Sequence, residues 1–167
     1  MFKSLLKGIA VSVVAFSGSA NAFPSLYALL DKSPLLDTIQ DTGTEVWYNP
    51  EDCKESAGLM GFYTTTVNVR TGEYLEDKMG ICVENHKGDI TELGNTVRHE
   101  SVHVAQECHG GPLQQPYKYM PIVSNRTLAE LQHYPAEHYA VEIEAFTLAE
   151  LLTNDQVREL VIAACSN

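Results

Sequence analysis

Residues 89–111 read DITELGNTVRHESVHVAQECHGG, and the rest of the chain is arranged around them. Asp89-Ile90-Thr91-Glu92 has the D-x-x-E form of a capping box. Leu93, Val97, Val102 and Ala105 recur at helical intervals, and Gly110-Gly111 supplies a stop. The stretch predicts one helix with both ends marked. Upstream, residues 45–48 (EVWY) read as a strand stopped by Asn49-Pro50. Residues 59–69, rich in aromatic and β-branched side chains, read as a second strand, and 78–84 as its return after a turn over Arg70 to Glu73. The leucines of residues 23–40, broken by Pro34, suit one or two short helices. Downstream, Pro112, Pro116, Pro121 and Pro135 keep the chain irregular apart from a short helix over 127–132. A helical pattern returns from Ala136 to Leu152, and Thr153 or Asn154 caps a last helix carrying Val157, Leu160, Val161 and Ala164. The expected fold is α+β: an antiparallel strand meander, then the 89–111 helix, then C-terminal helices.

Composition bounds what such a fold can do. With 167 residues, 44% hydrophobic and 20% charged, the chain is an ordinary globular one, which excludes disorder and a polytopic membrane protein. Eleven basic against 22 acidic residues give a net charge of −11, which repels nucleic-acid phosphate. Lys3 and Lys7 beside the apolar run from Ile9 to Phe16, followed by Ser19-Ala20-Asn21-Ala22, have the form of a signal peptide over residues 1–22. Cleavage near Ala22 would leave a single domain, 23–167, with nine basic and 22 acidic residues, a formal charge of −13. No later stretch is apolar enough to span a membrane. The expected location is secreted or periplasmic. Cys53, Cys82, Cys108 and Cys165 form an even set in an exported chain, so two disulfides are expected, with three pairings open. Cys53–Cys82, flanking the strands, and Cys108–Cys165, joining the 89–111 helix to the last one, are preferred.

Within the helix stands His99-Glu100-Ser101-Val102-His103, an H-E-x-x-H. At i and i+4 the two imidazoles share a face about 6 Å apart at Cβ, a spacing from which both can bind one Zn²⁺. Glu100 is rotated about 100° from His99. From there it can take a proton from a zinc-activated water that attacks a polarised carbonyl. The alternative reading is two surface histidines flanking an exposed acid, but Val97, Val102 and Ala105 make the helix a partly buried one.

From Gly61 to Leu152 the chain resembles the zincin metalloproteases, and Glu142-Ile143-Glu144-Ala145-Phe146 resembles the E-x-E-A signature of gluzincin-like groups. The resemblance implies His99 and His103 as metal ligands, Glu100 as general base and Glu142 as third ligand to one Zn²⁺ per chain. Phe146 stands where aspartate or asparagine often follows the alanine. The residues lean the same way: the helical neighbours of Glu142 are His138, Tyr139, Ala145 and Phe146, a largely apolar face on which a carboxylate needs a cation. Glu144 reads as an edge residue or a partner to a ligand histidine. A rival third ligand is His109, whose spacing resembles the metzincins, with Met120-Pro121 imitating their Met-turn. Gln106 stands where that family places glycine, and in an unbroken helix His109 lies about 120° from His103.

Other residues read as follows. Cys108 lies about 180° from His99 and suits a bridge. His86, His133 and His138 read as solvated, and Tyr134 or Tyr139 could donate to a developing oxyanion. The expectation is an exported zinc metallopeptidase acting on a peptide or protein substrate. The alternative is a catalytically silent zincin-like domain that binds a cell-envelope partner.

Overall fold

The computed structural model of the chain describes residues 23–114 and 123–166, with side chains from Leu26 onward. The signal-peptide stretch and Met120-Pro121 lie outside them. The chain opens with two short helices, α1 (Phe23–Leu30) and α2 (Pro34–Asp41), then β1 (Glu45–Tyr48), a single helical turn α3 (Glu51–Glu55), β2 (Gly61–Val67) and β3 (Tyr74–Ile81). A 3-10 turn, Val83–His86, leads into α4 (Ile90–His109), the longest element at 20 residues. After it come α5 (Asn125–Glu130), α6 (Tyr139–Leu151) and α7 (Asn154–Cys165). This is α+β, with a three-stranded sheet on one side and a helical layer on the other.

Local chemistry sets the ends of α4. Asp89 accepts from Glu92 N at 3.0 Å, and Gly110 closes the helix at φ 79. The Glu92 side chain does not return to the cap; it pairs with Arg126 of α5 instead. The cap is therefore one-sided.

The sheet departs from the expected meander. Its order is β1-β3-β2: β2 and β3 form the antiparallel hairpin, while β1 runs parallel to β3, Trp47 opposite Gly80 and Tyr48 opposite Ile81. A parallel neighbour needs a crossover of about a dozen residues. The connection between these parallel strands is the stretch from Asn49 to Glu73, which carries α3 and β2 and sets β2 down one place beyond β3, leaving room for β3 between the first two strands. β3 also starts at Tyr74, earlier than the expected 78, and gives way at Cys82 to the 3-10 turn.

Alternation along the strands sorts the two faces. Met79 and Ile81, fully buried, meet Val46, Tyr48 and Tyr63 on the helix side, while Trp47, Lys78 and Phe62 share the other face. Gly80 is required there, since a Cβ would stand 2.4 Å from the Phe62 ring. α4 packs against α6 and α7 and beneath β2. Val97 and Val104 of α4 join Val157 and Val161 of α7, and Leu35 and Ile39 of α2, in one core. Each such side chain contributes about 1.5–3 kcal/mol by leaving water. Both preferred disulfides are present, Cys53–Cys82 and Cys108–Cys165. They close loops of 29 and 57 residues in sequence, each worth roughly 4 kcal/mol in the chain-entropy account. None of the helices among the described residues is long and apolar enough to cross a membrane. The two disulfides fit an extracellular or periplasmic protein.

Candidate metal centre

The inner face of α4 carries His99, Glu100 and His103, each offering a ligand atom within 4.8 Å of the others. α6 brings Glu142 to the same point. His99 Nε2 and His103 Nε2 lie 3.1 Å apart, and Glu142 Oε2 is 3.4 Å from the first and 3.6 Å from the second. Neither contact with the carboxylate has hydrogen-bond geometry, and Oε2 is buried with no hydrogen-bond partner among the described residues.

Gln106 orients one of these three atoms. Its amide nitrogen donates to Glu144 Oε2 at 2.9 Å and to the Val141 carbonyl at 3.0 Å. The nitrogen faces two acceptors, so its Oε1, 2.8 Å from His103 Nδ1, must accept, and Nδ1 must donate. The proton of a neutral His103 is thus on Nδ1, and a lone pair on Nε2 points at the His99 ring and the Glu142 carboxylate. Burial pushes the Glu142 carboxyl up, but direct contact with the His103 and His99 imidazoles, and after it their charge when protonated, outweighs burial and holds the group down to about 2. Burial likewise disfavours a charged His103, yet Glu142 and Glu100 prevail and raise its pKa. All of these effects call for positive charge where the three atoms converge.

Zinc fits that demand. With Zn–N and Zn–O bonds near 2.0–2.1 Å, tetrahedral ligand atoms are about 3.3 Å apart. The separations of 3.1, 3.4 and 3.6 Å bracket that value.

Glu100 lies beside this triangle, buried. Burial raises its pKa, the two imidazoles lower it, the like charge of Glu142 adds to the rise, and the net direction is up. Its position is set by β2: a Cβ on Gly61 would stand 2.6 Å from Thr96 Cγ2 and 3.1 Å from Glu100 Cγ and Oε1. The strand lies on the helix at this residue. Phe146 packs its ring 4.2 Å from that of His99, centroid to centroid, and Tyr134 meets Phe146 edge-on. Burial first, then Glu142 and Glu100, raise the Tyr134 hydroxyl, which stays protonated as a donor. Tyr139 is exposed.

His109 sits at the exposed end of α4, its Nδ1 3.3 Å from the Gly111 carbonyl, outside the cluster. Glu144, fully buried, accepts from Gln106 and from the backbone N–H groups of Leu113 and Gln114 at 2.7 and 2.8 Å. It reaches His103 only through Gln106. His133 and His138 are exposed as expected, but His86 is not solvated. It is buried, Nδ1 donating to the Cys82 carbonyl and Nε2 accepting from Thr96 Oγ1, both at 2.9 Å, and it ties the 3-10 turn to α4. Gln106 is the functional residue that sequence reasoning missed. Its sole sequence signal is standing one turn beyond His103.

A cleft of ≈ 320 Å³ opens on the cluster, walled by Tyr63 and Thr65 of β2 and Val141 of α6, with His103 and Glu107 along α4. A larger hollow, ≈ 680 Å³ beside Trp47 and Lys78, includes none of the cluster residues.

The profile of one protein family matches residues 26–165. The chain belongs to that family, described as a domain of unknown function (DUF8637). The matched DUF8637 region contains every element from α4 to α6 that builds the cluster. No curated protein and no solved structure matches the chain.

Proposed function

We propose that the chain is an exported, zinc-dependent hydrolase of zincin type, a peptidase, released by cleavage near Ala22. The observation that carries this reading is the convergence of His99 Nε2, His103 Nε2 and Glu142 Oε2 within 3.6 Å, with no hydrogen bond among the described residues to neutralise the buried carboxylate oxygen. His99, His103 and Glu142 would hold the ion, leaving a fourth position open. Zinc, when bound, polarises a scissile carbonyl and acidifies water.

The chain's own groups do the rest. Gln106 keeps the His103 lone pair aimed into the cluster. Glu100, whose pKa burial raises toward the working range, takes the proton of the attacking water and returns it to the leaving amine. Tyr134 is the donor for negative charge developing on the carbonyl oxygen. β2 is an edge strand, and Tyr63 and Thr65 wall the cleft, so an extended peptide can lie along it by strand addition.

The test is metal analysis with a broad peptide-library digest. The native chain is expected to bind about one zinc per chain and to cleave peptides. Glu100→Gln should keep the metal and lose hydrolysis, because the base is not a ligand, and His99→Ala should lose both. Metal-free protein with full hydrolytic activity would falsify the reading. A Glu100→Gln variant indistinguishable from native protein in turnover would favour the silent binding domain.

A further inference from the structure

The cleft beside the cluster carries a charge pattern that hydrolysis as such does not require. It begins at His103 and Glu142 and follows the last turn of α4 to Gly111. Glu107, four residues beyond His103, lies on the same helical face. The Tyr74 hydroxyl donates to Glu107 Oε1 at 2.9 Å, which fixes the carboxylate from β3 and leaves its position to the packing of sheet on helix. Here α4 also ends, and its aligned peptide dipoles add about half a negative charge. Among the described residues no lysine or arginine lines the cleft; the basic side chains they bring to it are the imidazoles of His103 and His138. At ≈ 320 Å³ it is at the small end of ligand pockets, with room for one long side chain. The chain's net charge of −11 steers cations toward it.

From this pattern we infer that the cleft is a subsite for a cationic side chain, the lysine or arginine of a peptide, next to the bond held at the cluster. The inference rests on the zinc-peptidase reading, and its test separates the two. Binding is measured on the zinc-loaded Glu100→Gln chain, so that no peptide is consumed. The peptides are matched except for arginine against citrulline, or lysine against norleucine, scanned through the two positions on either side of a bond. At one position the charged peptide is expected to bind about 10–100-fold more tightly than its neutral match, and the gap should narrow as salt rises. In Glu100→Gln/Glu107→Gln, where Tyr74 can still donate to the amide oxygen, the gap should collapse to within about threefold. Tyr74→Phe, which frees the carboxylate without removing it, should give an intermediate gap. Equal binding of charged and neutral peptides, or a gap that survives Glu107→Gln in a variant of native circular dichroism, overturns the subsite. Turnover by the native chain is read separately. Hydrolysis without a charge preference retains the peptidase and rejects the subsite, while a charge gap without hydrolysis does the reverse.

Discussion

An amide has no charge to offer a metal, yet Gln106 decides which nitrogen of His103 carries the proton, because both acceptors around its NH₂ group leave its oxygen facing Nδ1. Gln106→Leu should therefore weaken zinc binding about 10–100-fold without unfolding the chain, as loss of a group supporting a ligand does. Glu142→Ala should weaken it by orders of magnitude, since it removes a ligand, and His109→Ala should leave it unchanged. Chelator competition with circular dichroism on all three variants checks this. If His109→Ala sheds zinc while Glu142→Ala holds it, the third ligand is the histidine. His99, Glu100 and His103 are legible in the sequence because helical period converts spacing into a shared face. Gln106 is not legible: its role depends on Glu144 and the Val141 carbonyl, more than thirty residues away.

Single elements carry the geometry of the cluster as much as single residues do. β2 can approach α4 at Glu100 only because residue 61 has no side chain, so Gly61→Ala must move either Thr96 or the strand. Besides Thr96, the methyl group would press first on Glu100. We expect zinc affinity to be retained while turnover falls about 100-fold, the cost of misplacing a catalytic group by an ångström. Loss of zinc in this variant would show that β2 supports the ligands as well. The helices α4 and α7 were readable from caps and apolar period, since local signals specify both. The order of the strands was not. Tyr74 to Asp77 look like turn and surface in sequence, and their pairing with Thr65, Thr66 and Val67 is satisfied by a partner strand.

For the whole molecule, the cluster joins α4 to α6 across the middle of the helical layer, so an ion held there binds the folded state and not the unfolded one. At a zinc concentration a thousandfold above Kd this linkage is worth about 4 kcal/mol. Removing metal with a chelator should lower Tm by about 10 °C or more for a domain of this size, and readdition should restore it. Glu142→Ala should show no such zinc dependence. An unchanged Tm across metal-free and zinc-loaded native protein would argue against occupancy of the cluster. The two disulfides bound how far the chain can open meanwhile, with Cys108–Cys165 fastening the end of α4 to α7.

Amino-acid order alone was enough to specify the α4 helix, its facing histidines, the glutamate between them, the expectation of two disulfides and the α+β class. Each of these follows from periodicity, capping or the proximity of neighbouring elements. Tertiary structure decided the rest. The parallel pairing of β1 with β3, the burial of His86, the approach of Gly61 to Glu100 and the chain from Glu144 through Gln106 to His103 all join residues distant in sequence. The physical reason is that a buried polar group must find a partner wherever the fold brings one. Which partner that is depends on packing between elements, and helical or strand period carries no record of it.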